Sequence, residues 1–184
     1  VGLGPGAFSG LRVSLALARG MALPGNRPVT GVGSGEALAW TIRSDIRTPT
    51  VAVVGDARRD RLWWGLFQVG GTDVTVSRPC ALTTGADMRS GLGSAVTLVT
   101  SDWEALGDRL RGIAADTGAA LLEGPRTPSA QSVAELSLHR EACAPTEAMP
   151  VPLYLHPPVF VDPIDPPVFP RSGEMPARPK ESLS

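Results

Sequence analysis

Cysteine is scarce: among 184 residues only Cys80 and Cys143 carry a thiol, far apart and without a C-x-x-C. That argues against a disulfide framework and against a cysteine zinc site, and makes the cytoplasm the expected compartment. Long apolar runs are missing too. No stretch approaches the about 20 residues that a membrane span needs, and no charged leader opens the chain, so no membrane partner is expected. Nor is there an excess of one charge: 17 Lys and Arg stand against 18 Asp and Glu. No strongly basic nucleic-acid surface follows, and any RNA contact is expected to need a partner. What remains is the profile of an ordinary soluble domain, 42% hydrophobic and 19% charged, with mean hydropathy +0.06. Such a chain is long enough to bury about 70% of its unfolded surface.

The opening V-G-L-G-P-G reads as the end of a buried strand entering a glycine turn. A lone strand end needs hydrogen-bonding neighbours, which an earlier stretch of chain or a partner is expected to supply. Ser9 is the expected N-cap of a helix from Gly10 to Leu23, ended by Pro24-Gly25-Asn26. At about 100° per residue, Phe8, Leu11, Leu15, Ala18 and Ala22 share one face, while Val13, Leu17, Gly20 and Met21 share the opposite one. Arg12 and Arg19 lie on the seam between them. A helix apolar on two sides needs two covers, either two layers of its own domain or one layer and a partner.

Further along, Val29 to Val32 reads as a short strand, and Ser34 as the cap of a helix to Ile42 with Glu36 in its first turn. Thr50 to Val54 and Leu62 to Val69 read as a hairpin around G-D-A-R-R-D, with Gly70-Gly71 reversing into Val74 to Ser77. Ala95 to Val99 is an expected strand. Asp102 starts a helix with the stripe Trp103, Leu106, Leu110, Ile113, closed by Gly118. Ala119 to Leu122 is a further strand, and Pro128 to Glu141 a helix with Val133, Leu136 and Leu138 inward. Residues 157–184 hold eight prolines, which predicts a disordered tail after a domain spanning 1–156. The alternation implies an α/β class with a mixed sheet.

Catalytic patterns are sparse. No G-x-S-x-G elbow and no G-x-x-x-x-G-K-[ST] occurs. Cys80 and Cys143 have no adjacent histidine to activate a thiol. Asp56 and Asp60, a pair that would suit magnesium or acid/base chemistry, alternate with Arg58, Arg59 and Arg61 and read more simply as a solvated charge cluster. Gly2-Leu3-Gly4-Pro5-Gly6-Ala7 fits the loose dinucleotide pattern G-x-G-x-x-A. Against a nicotinamide site, the first acid after the turn is Glu36, inside a helix, and Pro5 removes an N–H that would face phosphate. The plainer alternative is that the glycines permit a tight strand-to-helix reversal.

A third reading comes from the string G-P-G-A-F-S-G-L-R, Gly4 to Arg12, which resembles the G-P-G-S-F-T-G-L-R signature of the TsaB (YeaZ) family, with Ala7 for Ser and Ser9 for Thr. The helix R-V-S-L-A-L-A-R-G-M-A-L, Arg12 to Leu23, is similar to the family's R-I-G-x-A-x-A-K-G-L-A-L. R-P-V-T-G-V-G-S-G-E-A-L-A, Arg27 to Ala39, is similar to P-V-x-G-V-S-S-L-E-A-L-A. Asp56-Ala57-Arg58 with Leu62-Trp63-Trp64 resembles the family's D-A-R hairpin, and Pro152-Leu153-Tyr154-Leu155 its closing P-x-Y-L-R, with His156 in place of Arg. The motif positions are Gly4, Pro5, Gly6, Phe8, Gly10, Arg12, Asp56 and Arg58.

The resemblance implies an actin-like/Hsp70-like (ASKHA, RNase H-like) fold in a non-catalytic relative of the threonylcarbamoyltransferase TsaD. With TsaD and the ATPase TsaE, such a subunit serves the transfer of threonylcarbamoyl to the adenosine beside the anticodon of tRNA. It implies a TsaD-type heterodimer partner, or a homodimer when alone, with tRNA met only through the complex. The corresponding helix contributes to the dimer contact, which assigns Phe8, Leu11, Arg12, Val13, Leu17 and Met21 to the interface. Family members carry a D-T-S hairpin about sixty residues before the G-P-G turn, so the chain is expected to be an N-terminally incomplete version. A TsaD-type catalyst holds metal with H-x-x-x-H on one helix face, whereas His139 and His156 lack that spacing. No catalytic residue, metal ligand or cofactor is therefore assigned. The alternatives are an ATP- or metal-dependent ASKHA enzyme of the glycoprotease-like label and, from another class, a dinucleotide-binding oxidoreductase.

Overall fold

The β-branched run after Pro49 forms the centre of the molecule. In the computed structural model, which describes residues 1–143 and 149–155, Thr50–Asp56 (β1) pairs antiparallel with Leu62–Val69 (β2) and parallel with Val96–Thr100 (β4). Val74–Thr83 (β3) extends the antiparallel side and Ala120–Leu121 (β5) the parallel one, giving the mixed order β3-β2-β1-β4-β5. Strand alternation divides the core. Val51 and Val53 enter one apolar cluster with Phe67, Leu38 and Leu136, while Ala52 and Val54 enter another with Trp64, Leu98, Leu110 and Met88. Fully burying each Val or Leu contributes about 1.5–3 kcal/mol, so both sheet faces are energetically committed.

Helices cover both faces. Ser34–Thr41 (α2) and Ala130–Cys143 (α5) belong to the first side, and Gly85–Gly91 (α3) and Trp103–Thr117 (α4) to the second. Leu106, Leu110 and Ile113 of α4 are buried as their spacing predicts, Trp103 is half-buried, and Gly118 closes the helix at φ 72°. Arg140 ties α5 to both the neighbouring helix and the β2–β3 turn. Its Nη2 donates to Glu36 Oε1 at 2.7 Å and to Asp73 Oδ1 at 3.2 Å.

Several sequence expectations are corrected. The first helix, α1, runs Phe8–Ala22; its cap is Ala7, whose carbonyl accepts Leu11 N–H at 3.0 Å and whose methyl side chain can make no capping bond, and Ser9 lies inside the helix. Ser34 is the first residue of α2, not its cap. Gly33 is the cap, and Glu36 Oε2 accepts its N–H at 2.8 Å. Val29 to Val32 forms only a parallel bridge from Val32 to Gly2, since one short partner cannot sustain a ladder. The opening strand end finds both neighbours within the chain: Leu3 N–H donates to Val32 O and Leu153 N–H to Leu3 O, each at 2.8 Å.

Strand β3 continues to Thr83, through Pro79, which is tolerated at a sheet edge where no ladder donor is required. Leu138 is 71% exposed rather than inward. Helix α5 begins at Ala130, and Ser129 Oγ accepts Ser132 N–H at 3.0 Å as its cap. The short α3 had no apolar period to announce it; Thr84 Oγ1 caps it by accepting Asp87 N–H at 3.2 Å. The predicted tail at 157–184, and His156, lie outside the described residues.

Candidate functional site

Local chemistry at the glycine turn decides how α1 leaves the body. Gly4 has φ 94°, a left-handed value that favours glycine, and the Gly4–Pro5 peptide is cis. A Cβ on Gly4 would come within 2.9 Å of Leu11 Cδ1 and 3.3 Å of Leu153 O, so the turn, the helix and the segment at 153 meet only because that side chain is absent. Ser34 N–H donates to Gly4 O at 2.7 Å and joins the turn to the start of α2.

From this base α1 projects with no buried residue. Leu11, Leu15, Ala18 and Ala22 are half-buried, so the first apolar face is only partly covered. On the opposite face Val13, Leu17 and Met21 are 68%, 62% and 75% exposed. The arrangement of a helix buried between two layers of its own domain is not the one observed.

The six expected interface residues divide into three groups. Val13, Leu17 and Met21 are free on the outer face, Leu11 packs toward the turn, and Phe8 and Arg12 are engaged with Tyr154. The Phe8 and Tyr154 rings are 5.2 Å apart, the Arg12 guanidinium lies 4.1 Å above the Phe8 ring, and Arg12 Nε donates to the Tyr154 hydroxyl at 3.2 Å. Leu153, beside the Gly4 turn, and Tyr154, beside Phe8, are 39% and 43% exposed and extend this surface at the base of α1. Single-residue periodicity did not find this extension. The P-L-Y-L motif was its only signal.

The remaining motif positions, Asp56 and Arg58, sit at the other hairpin. Asp56 Oδ1 accepts Arg58 N–H, and Asp102 Oδ2 accepts Asp56 N–H, both at 2.8 Å. Asp56, Arg58, Arg59, Asp60 and Arg61 are all exposed, as a solvated charge cluster requires, and Asp60 pairs with Arg109 of α4 at 2.9 Å. No hydrogen bond or ion pair among the described residues joins this hairpin to α1.

Other chemistry is limited. Burial, followed by the charge of Glu36, pushes the Cys80 thiol up to about 12. A histidine does stand near Cys143, contrary to expectation, because the four-residue spacing on α5 brings His139 Nε2 to 3.8 Å from its sulfur. Among the described residues no group of three His, Cys, Asp or Glu side chains comes together, so they do not fit the metal site of a TsaD-type catalyst. Glu36, the acid nearest in sequence to a dinucleotide-type role, has one oxygen on Gly33 N–H and the other on Arg140. An open cavity of about 360 Å³ beside Ser34, Ala37, Ser129 and Val133 presents mostly apolar wall, and the Ser129 hydroxyl is bonded to that of Ser132 at 2.8 Å.

A mixed five-stranded sheet clothed on both faces, with a helix that exposes an apolar face, defines an α/β domain. The family model described as TsaD, tRNA N6-adenosine threonylcarbamoyltransferase, matches residues 1–93, a span that holds both the G-P-G turn and the D-A-R hairpin. The chain belongs to that family.

Solved structures show the same fold. YeaZ from Pseudomonas aeruginosa is 24% identical, with a TM-score of 0.67 over 84% of this chain and 72% of that one. A crystal structure described as an uncharacterized protein with similarity to peptidase YEAZ from Pseudomonas aeruginosa is 23% identical, with a TM-score of 0.68 over 84% of this chain and 71% of that one. No curated protein matches. The YeaZ resemblance read from the sequence, with its ASKHA-like architecture, is therefore borne out. No helix among the described residues is long and apolar enough to cross a membrane.

Proposed function

We propose that this chain is a cytoplasmic, non-catalytic subunit of the machinery that makes threonylcarbamoyladenosine in tRNA. It pairs with a TsaD-type transferase, works beside a TsaE-type ATPase, and meets the adenosine beside the anticodon as part of that assembly. The observation that carries this reading is the outer face of α1, where Val13, Leu17 and Met21 are each more than three-fifths exposed on a helix with no buried residue. Covering three such side chains on association supplies the apolar core of an interface. The Arg12, Phe8 and Tyr154 cluster adds aromatic and arginine anchors at its edge.

The test is reconstitution of the complex from purified components. The chain alone is expected to hold no stoichiometric zinc or iron and to form no modified adenosine, while co-purifying with a TsaD-type transferase and raising its product yield when added. Modification by the chain alone would assign it the enzymatic role instead. Failure to associate with the transferase would remove the subunit reading.

A further inference from the structure

The tip of the β1–β2 hairpin presents Arg58, Arg59 and Arg61 to solvent. Among the described residues no carboxylate pairs with any of these three guanidinium groups. The nearby acids are engaged elsewhere. Asp56 holds Arg58 N–H, Asp102 holds Asp56 N–H, and Asp60 is paired with Arg109.

The tip is also held in shape. Arg58, Arg59 and Asp60 have φ values of 63°, 51° and 60°, a left-handed run that side-chain-bearing residues rarely adopt. It is closed by Ala57 N–H to Arg61 O and Arg61 N–H to Arg58 O, both at 3.0 Å, and Arg109 Nη1 reaches Asp60 O at 3.3 Å. A fixed loop that leaves three guanidinium forks without internal acceptors is suited to phosphate oxygens, which Arg binds in bidentate geometry.

We propose that Arg58, Arg59 and Arg61 form a direct contact for the phosphate backbone of RNA. The inference rests on the proposed function only in taking tRNA as the polyanion. The near-zero charge of the whole chain does not show such a patch, in which Arg58, Arg59, Arg61 and Arg109 outnumber Asp56, Asp60 and Asp102.

The experiment is fluorescence anisotropy of a labelled tRNA transcript with the full chain, from about 20 to about 200 mM KCl. The double variant Arg59→Asn/Arg61→Gln removes two charges while Asn tolerates the left-handed position. It is expected to bind at least about tenfold more weakly at low salt and to flatten the log–log salt slope by about 1–2. Arg59→Lys/Arg61→Lys, which keeps the charge, is expected to restore the slope. Unchanged affinity and slope in the double variant, or no binding by the parent chain, overturns the proposal. Association of the double variant with the TsaD-type transferase is measured in parallel and is expected to match the parent. Loss of that association with RNA binding intact makes the tip a protein contact and also overturns the proposal. If neither chain associates with the transferase yet the RNA effect holds, the subunit reading fails and the phosphate contact stands.

Discussion

Arg12 Nε donates to the hydroxyl of Tyr154 at 3.2 Å across 142 positions of sequence. Phe8 lies against the same two residues, so the motif that opens the chain is closed by the motif of residues 152–155. Tyr154→Ala removes the aromatic pair, worth about 0.5–1.5 kcal/mol beyond burial. Hydrogen exchange is the check. The Leu153 amide, which donates to Leu3 O, should exchange faster in the variant while amides of β1 and β4 keep their protection.

Leu17→Glu tests the outer face of α1. Because Leu17 is 62% exposed, the substitution should change folding stability by no more than about 0.5 kcal/mol. At a buried contact the new carboxylate would cost several kcal/mol. Calorimetric titration with a TsaD-type transferase should therefore show a large loss of affinity beside an unaltered melting curve. Unchanged affinity would remove this face from the interface.

Arg140→Ala should weaken the joint between α2, α5 and the β2–β3 turn. Both acids it holds are mostly shielded, with Glu36 14% and Asp73 35% exposed in their side chains. The expected loss is about 1–3 kcal/mol, above that of an exposed pair and below that of a fully buried one. Urea denaturation with an unchanged m-value would establish it as a stability effect.

The two cysteines should separate in reactivity. Cys143 is exposed and should label first, whereas Cys80, with its thiol pushed up to about 12, should resist alkylation in the native state at pH 8. A raised folded-state value also sets the sign of the pH dependence. The contribution of Cys80 to stability is complete below its ordinary 9.0 and is lost as pH climbs toward about 12. Replacing Cys80 by Ala should reduce that alkaline decline.

Gly35→Ala should destabilise the fold although alanine favours helices. Gly35 is buried in α2, and a Cβ there would be driven into the Phe67 ring on β2. Overpacking of this kind costs about 1–3 kcal/mol, which thermal melting would register as a lowered midpoint.

Legibility followed the range of the forces involved. The β1–β2 hairpin, the stripe of α4 and the Gly118 stop were readable because β-branched runs, helical periodicity and left-handed glycine each act within a few residues. The caps lie earlier than the polar residues suggested, Ala7 two positions before Ser9 and Gly33 one before Ser34, whose N–H is taken by the distant Gly4 O. The proximity of His139 to Cys143 was missed although their spacing of four was in plain view, because neither was first placed on a common helix face.

The amphipathic period of α1, the alternating core of β1 and the G-P-G and D-A-R strings are properties of the linear chain, and with them came the family and the α/β class. They did not show that α1 would have no buried residue, that Leu153 and Val32 would flank the opening strand, or that Asp60 would pair with Arg109 and leave its neighbouring arginines without a carboxylate among the described residues. Those outcomes depend on which distant groups compete for each hydrogen bond, charge and apolar surface. That competition exists only once folding has brought distant segments, such as those at Leu3 and Leu153, together.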